Sequence, residues 1–197
     1  MSEQAITLKT VNELRLDSEG KPQRYFIAAY QRGYRWTQLQ VTQLLEDIRE
    51  FTKRRNPQPD DFYCLQPLVM RVSEKGGYEV VDGQQRLTTL MLILRHFNER
   101  LTEKYRQPVY RLEYETRPEL LSFLDEPTEE LANRNVDFFH LKMAMDAIEG
   151  WFSDKDSELE EIKSAFQGKT KVIWYEIAET EHPVDVFTRL NVGKIPL

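Results

Sequence analysis

The sequence predicts an α/β (α+β) fold: a small mixed sheet with flanking helices and a helical insertion. Three observations lead there. Strand-type runs rich in β-branched and aromatic residues lie towards both ends, Tyr25–Ile27 and Tyr63–Val72 before the middle and Lys171–Ile177 after it. Between about residues 117 and 167 the apolar spacing is helical instead. Tyr78–Val81 reads as a strand and runs through Asp82-Gly83 straight into a helical stripe. A chain of 197 residues is enough for one domain carrying an insertion at about 115–168.

Each element has a local reason. Residues 1–24 read as a short helix and a polar loop ending in Gly20-Lys21-Pro22. Tyr25-Phe26-Ile27 is a short strand. Thr37 is a suitable N-cap for a helix to about Arg55, with Val41, Leu44, Leu45, Ile48 and Phe51 on its buried stripe. Pro57 and Pro59 stop it. Tyr63–Val72 is a strand with Pro67 as an irregularity. Gly76-Gly77 turns the chain, and Tyr78–Val81 returns. A helix from Asp82-Gly83 to about Lys104 has the stripe Leu87, Leu90, Met91, Leu94 and Leu101. A short strand follows at Val109–Tyr114. In the helical middle, Phe139, Met143 and Ile148 are expected to face inward. After the strand Lys171–Ile177, Asp185–Leu190 gives one or two helical turns and Asn191–Leu197 a loop. No closing element follows, so the chain is expected to be a piece of a longer protein.

Composition narrows the function classes. Hydrophobic residues make up 40% and charged residues 30%, an ordinary globular balance. The net charge of -6 argues against a general nucleic-acid sheath, which would be basic. The single cysteine, Cys64, excludes an intrachain disulfide and suits a reducing cytoplasm. The longest purely apolar run, Leu90–Leu94, falls far short of the about 20 residues of a membrane helix. No secretory signal pattern opens the chain. A cytoplasmic location without membrane contact is expected.

The segment that carries chemistry is Val80-Val81-Asp82-Gly83-Gln84-Gln85-Arg86-Leu87-Thr88-Thr89-Leu90. It is a strand, a tight turn and a helix start. The first N–H groups of a helix have no internal partner, and with the helix dipole they attract anions. Gly83 lets a ligand approach the backbone. Arg86 offers a planar fork to phosphate. Gln84 and Gln85 can hydrogen-bond a phosphate, ribose or base. Asp82 is the catalytic candidate, holding Mg²⁺ through water or orienting an attacking water. A second reading of the same residues stands beside this one. Asp82 as N-cap with Gln85 three residues on makes a capping box that needs no ligand.

Two further clusters bear on the choice. Gln31, Arg32 and Arg35 lie in an aromatic-flanked loop, Tyr30 to Trp36. Its aromatics can pack the loop while the arginines face a cleft, or the loop is simply a surface loop. Phe187 to Lys194 is a helix end with a glycine turn. It can bring Arg189, Asn191 and Lys194 to one anion, or be a plain glycine helix stop.

Together the three segments resemble one family, the DGQQR-motif N-terminal domain of GmrSD-type restriction and phage-defence proteins. The matching residues are Tyr30-Gln31-Arg32-x-Tyr34-x-Trp36, Asp82 to Leu90, and Phe187-x-Arg189-Leu190-Asn191-x-Gly193-x-x-Pro196-Leu197, in order and from about residue 25 to the end. The resemblance implies a ParB/sulfiredoxin-like core and a domain that binds or hydrolyses nucleoside triphosphate with Mg²⁺. The implied partner is a C-terminal HNH nuclease domain or subunit, with DNA reached through the full-length protein. By resemblance Asp82, Gln84, Gln85 and Arg86 form the nucleotide site. Arg32 and Arg35 support it, and Asn191 and Lys194 are further candidates. The chain departs from the family pattern at Ala28-Ala29, where Ile-Pro is usual before this motif, and at Gln66-Pro67, where a glycine is usual. The second departure is expected to reshape part of the pocket. Besides this regulatory NTPase reading, a non-catalytic DNA- or partner-recognition module and, more weakly, a nuclease domain are the alternatives. No nuclease activity is expected of these residues alone.

Other signals fall away. Gly168-Lys169-Thr170 lacks the earlier glycine and the strand-then-helix order of a phosphate loop. Glu161 and Lys163 are two apart and share no helix face. The three histidines have no metal-ligand spacing. Cys64 reads as a buried packing residue with no base beside it in sequence.

Overall fold

The computed structural model describes residues 5–178 and 180–192. It is a mixed α/β structure of the predicted α+β class. Strands β1 (Ala5–Thr10), β2 (Arg24–Ile27), β3 (Tyr63–Val72), β4 (Tyr78–Asp82), β5 (Arg111–Tyr114) and β6 (Thr170–Glu176) form one sheet in the order β1-β6-β3-β4-β2-β5. The helices are α1 (Gln38–Thr52), α2 (Gln84–Glu99), α3 (Leu120–Asp125), α4 (Glu129–Arg134), α5 (Val136–Phe152), α6 (Leu159–Ser164) and α7 (Pro183–Val192). Helices α3 to α6 fill the stretch between β5 and β6, where the insertion is expected.

Strand alternation divides the buried residues between the two faces. Tyr25, Ile27, Leu68, Met70, Val80, Leu112 and Trp174 belong to the main core with the apolar stripes of α1, α2 and α5. Their strand neighbours Val69 and Val81 form a smaller cluster with Ile177 and Val186 of α7. The α1 stripe is buried at all five expected positions, and Thr37 caps the helix through a capping box with Gln40. Pro67 sits where the pairing of β3 with β6 shifts register between Leu65 and Leu68.

Five local expectations change. Residues 5–10 form a strand rather than a helix. Their Ala-Ile-Thr-Leu-Lys-Thr alternation pairs antiparallel with β6, a partner 160-odd positions away that supplies the strand's hydrogen bonds. Helix α2 ends at Glu99, short of Lys104. The inward face of α5 is set by Phe138, Leu141, Ala144, Ile148 and Phe152, while Phe139 is 45% exposed. One stripe was therefore read a residue out of phase at its start. Cys64 is exposed, because Leu65 beside it takes the core-facing position. Asn191 and Val192 extend α7, so the last helix is longer than one or two turns.

His96 on α2 is buried and its ring stacks on Phe152 at 5.0 Å. Burial first, and then the Arg100 charge, pushes its imidazole down to about 4. In the unfolded chain it titrates near about 6.5. Between those values the unfolded chain binds the extra proton, so this residue's share of stability is lost as pH falls from about 6.5 to about 4. In His96→Phe, Tm measured over that range is expected to fall less steeply on acidification than in the parent.

Candidate functional site

Strands β4, β2 and β5 are parallel neighbours. Their C-terminal ends therefore open on the same edge of the sheet, the position where open α/β sheets take ligands. Three segments leave that edge: the turn 82–86 after β4, the loop 28–36 after β2, and residues 115–117 after β5. Strand β3 runs antiparallel to β4 and brings Gln66-Pro67 to the same place. Topology thus assembles residues that the sequence keeps up to a hundred positions apart.

The turn itself is built around Gly83. Its φ of +94° lies in the left-handed region, and it occupies the N-cap of α2. Leu87 N–H closes the first helical bond on the Gly83 carbonyl at 2.9 Å. A Cβ at Gly83 would lie 2.5 Å from Leu68 Cδ2 and 3.1 Å from Arg86 Nη1. The cap residue has no side chain, and Gln85 does not reach back to it. Instead Gln85 Oε1 accepts from Arg35 N–H at 2.7 Å, and its Nε2 donates to the Gly33 carbonyl at 2.8 Å. The Asp82–Gln85 capping box, the second reading of this turn, is not the arrangement found. The loop, not the helix terminus, takes the glutamine.

Two more glutamines tie the loop down. Gln84 Nε2 donates to the Arg32 carbonyl at 2.5 Å, and Gln31 Nε2 donates to the Val80 carbonyl. Both side chains are buried, at 6% and 4% exposure, and the Oε1 of each has no hydrogen-bond partner in the structure. A buried acceptor left unpaired costs about 1–3 kcal/mol. The following turn of α2 is held by hydroxyls. Thr88 and Thr89 each donate to the carbonyl four residues back. Tyr114 and Tyr34 in turn donate to them, both at 2.8 Å. This accounts for the Leu87-Thr88-Thr89-Leu90 part of the motif: apolar positions pack and threonines anchor.

Arg86 is half-buried over the turn. Its Nη1 donates to the Pro67 carbonyl at 2.7 Å and its Nη2 to Gln66 Oε1 at 2.6 Å. Burial lowers its pKa and the Asp82 charge works against that. An arginine so placed stays a cation. Gln66-Pro67, the departure from the family pattern, thus provides the two acceptors that hold Arg86.

The structure brings Gln31, Arg32, Arg35 and Asp82–Arg86 to one edge, but with different aims. Arg32 is exposed. Arg35 turns to α5, where its Nη1 pairs with Asp137, and the same Asp137 carboxylate pairs with Arg117. Helix α7 joins the small cluster through Val186, and its Phe187 meets Tyr30 with ring centroids 5.7 Å apart. The Asn191 side chain and Lys194 lie outside the described residues. Gly33, Asp137 and Arg117 were not singled out by the sequence as site residues, whereas Gln66-Pro67 was, as the departure expected to reshape the pocket. Asp137 has no local signal, standing 102 positions from its partner Arg35. As the sequence predicts, Gly168-Lys169 belongs to a helical turn that precedes a strand, the reverse of a phosphate loop. Among the described residues, no group of three or more His, Cys, Asp or Glu could hold a metal ion.

The sequence pattern of the GmrSD restriction endonuclease N-terminal domain matches residues 11–197. A comparison with curated proteins finds no match. No helix among the described residues is long and apolar enough to cross a membrane.

Proposed function

The chain belongs to the GmrSD restriction endonuclease N-terminal domain family, and from that premise we propose that its 82–86 turn binds nucleoside triphosphate and regulates a nuclease elsewhere in the protein. The observation that carries this reading is the start of α2, where the cap is a glycine and the neighbouring glutamines are committed to the loop. The first N–H groups of the helix are then left for an anion, with the dipole behind them. Arg86 lies against Gly83, and phosphate oxygens can take its fork in place of the Pro67 and Gln66 acceptors.

Mg²⁺ fits this donor set in one way. It commonly binds through one or two carboxylates plus phosphate oxygens, and Asp82 at the end of β4 is the carboxylate in place. The ion would neutralise charge on the transferred phosphoryl group. Asp82 would hold its water or orient the attacking one. Gly83 and the helix N-terminus would fix the phosphates.

Thermal melting with ATP, GTP, CTP and UTP, each with and without Mg²⁺, tests the proposal. At 100 times Kd a ligand adds about 2.7 kcal/mol, which raises Tm by roughly 5 to 10 °C for a chain of this size. In Arg86→Ala the unliganded melt is expected to stay cooperative while the shift disappears. A full shift in that variant removes Arg86 from the site. No shift for the parent with any nucleotide, repeated in the full-length protein, overturns the reading.

A further inference from the structure

We propose that Asp137, on the helical segment between β5 and β6, is a positioning residue for the turn at 82–86. This rests on the reading of that turn as the nucleotide site. Asp137 is 2% exposed, near the start of α5, where Asn135 caps the helix through the Asp137 N–H at 2.8 Å. Its carboxylate is held by two arginines from two segments of the site edge, Arg35 and Arg117. A charge this buried persists only with its partners in place, and removing one is costly. The carboxylate therefore fixes where residue 35 sits.

Gly33 shows how closely the loop is laid on it. A Cβ at that position would overlap the Asp137 carboxylate itself. The loop so pinned then determines the turn. Arg35 N–H and the Gly33 carbonyl are the two partners of the Gln85 side chain, at 2.7 and 2.8 Å. The Arg32 carbonyl is the partner of Gln84. Both glutamines of the helix start thus take their orientation from a loop whose own path is set by Asp137. Asp137 acts through Arg35 and the glutamines, and the helical segment thereby positions the anion site.

The test compares the parent chain with Asp137→Asn and Arg35→Gln. Arg35→Gln keeps the Asp137–Arg117 pair and cuts the link to the loop, together with the Arg35 Nη1 bond to the Tyr34 carbonyl. Two readouts are taken: the Gln85 side-chain amide resonances with the exchange rate of the Arg35 N–H, and the Kd for Mg-ATP and Mg-GTP. In both variants the backbone amide at position 35 is expected to exchange at least about tenfold faster and the Gln85 resonances to shift, with nucleotide affinity about tenfold weaker. A residue that merely staples α5 would leave the Gln85 resonances and Kd unmoved, and that result overturns the proposal. If Asp137→Asn does not fold, Arg35→Gln alone decides on the same readouts. If the parent and the full-length protein bind none of the four nucleoside triphosphates, the function reading fails. The amide readout still decides the link from Asp137 to Gln85.

Discussion

Gly83→Ala is expected to lower Tm by roughly 4 to 20 °C and to abolish the nucleotide-dependent shift. Two costs add. A non-glycine residue held at a φ of +94° pays the left-handed penalty, and a Cβ 2.5 Å from Leu68 Cδ2 forces a fully buried leucine to move. Together these amount to about 2 to 5 kcal/mol, and each kcal/mol is worth about 2 to 4 °C at this chain length. The loss of binding has a separate cause. The added methyl would stand 3.1 Å from Arg86 Nη1, so Arg86 must shift by a few tenths of an ångström, and the methyl screens the first helical N–H groups. The two effects separate by experiment. Leu68→Ala in the Gly83→Ala background frees space for the methyl but leaves the backbone penalty, so the clash part of the Tm loss should be relieved and no nucleotide shift should return. If Gly83→Ala melts within 2 °C of the parent and binds nucleotide equally well, the turn is not the tight, donor-bearing structure described.

Much of this site was legible because its parts are local. A strand, a glycine and a helix start at residues 80–90 need only short-range chemistry. So do the Thr37–Gln40 cap and the α1 stripe, and these elements stand where periodicity and capping put them. What failed to read was decided by distant partners. The first strand owes its form to antiparallel pairing with β6, and nothing within residues 5–10 announces that partner. Gln85 is an acceptable capping-box residue by spacing, yet its amide goes to residues 33 and 35, because parallel pairing of β2 beside β4 lays that loop across the helix start. Arg35 looked like a cleft arginine by composition, and the buried Asp137 draws it to α5 instead. The phase of α5 was misread for a related reason. Phe138 and Phe139 are equivalent as residue types, and only the neighbour Phe123, stacked on Phe138 at 4.4 Å, tells which one is inside.

The phase of α5 yields the second large effect. Phe152→Ala is expected to lower Tm by roughly 6 to 20 °C, since deleting a buried phenylalanine costs about 3 to 5 kcal/mol. Phe152 is 0% exposed and sits where the helical segment meets α2. It packs edge-on against Phe97 at 5.4 Å and against Trp151 at 4.8 Å, with His96 stacked on its face. Collapse of such a site is hard, because Phe97 is braced on its other side by Phe166 at 5.7 Å. The cavity would therefore stay open, which places the cost towards the upper end of its range. Phe139→Ala is the control from the same helix. At 45% exposure its loss should stay within about 0.5 kcal/mol, or about 2 °C. Equal losses from the two alanine variants would mean that α5 is rotated from the face described. A large loss from Phe152→Ala alone fixes that face. It also fixes the seat of Asp137, one residue before Phe138 on the same helix and bound to the loop that holds the glutamines.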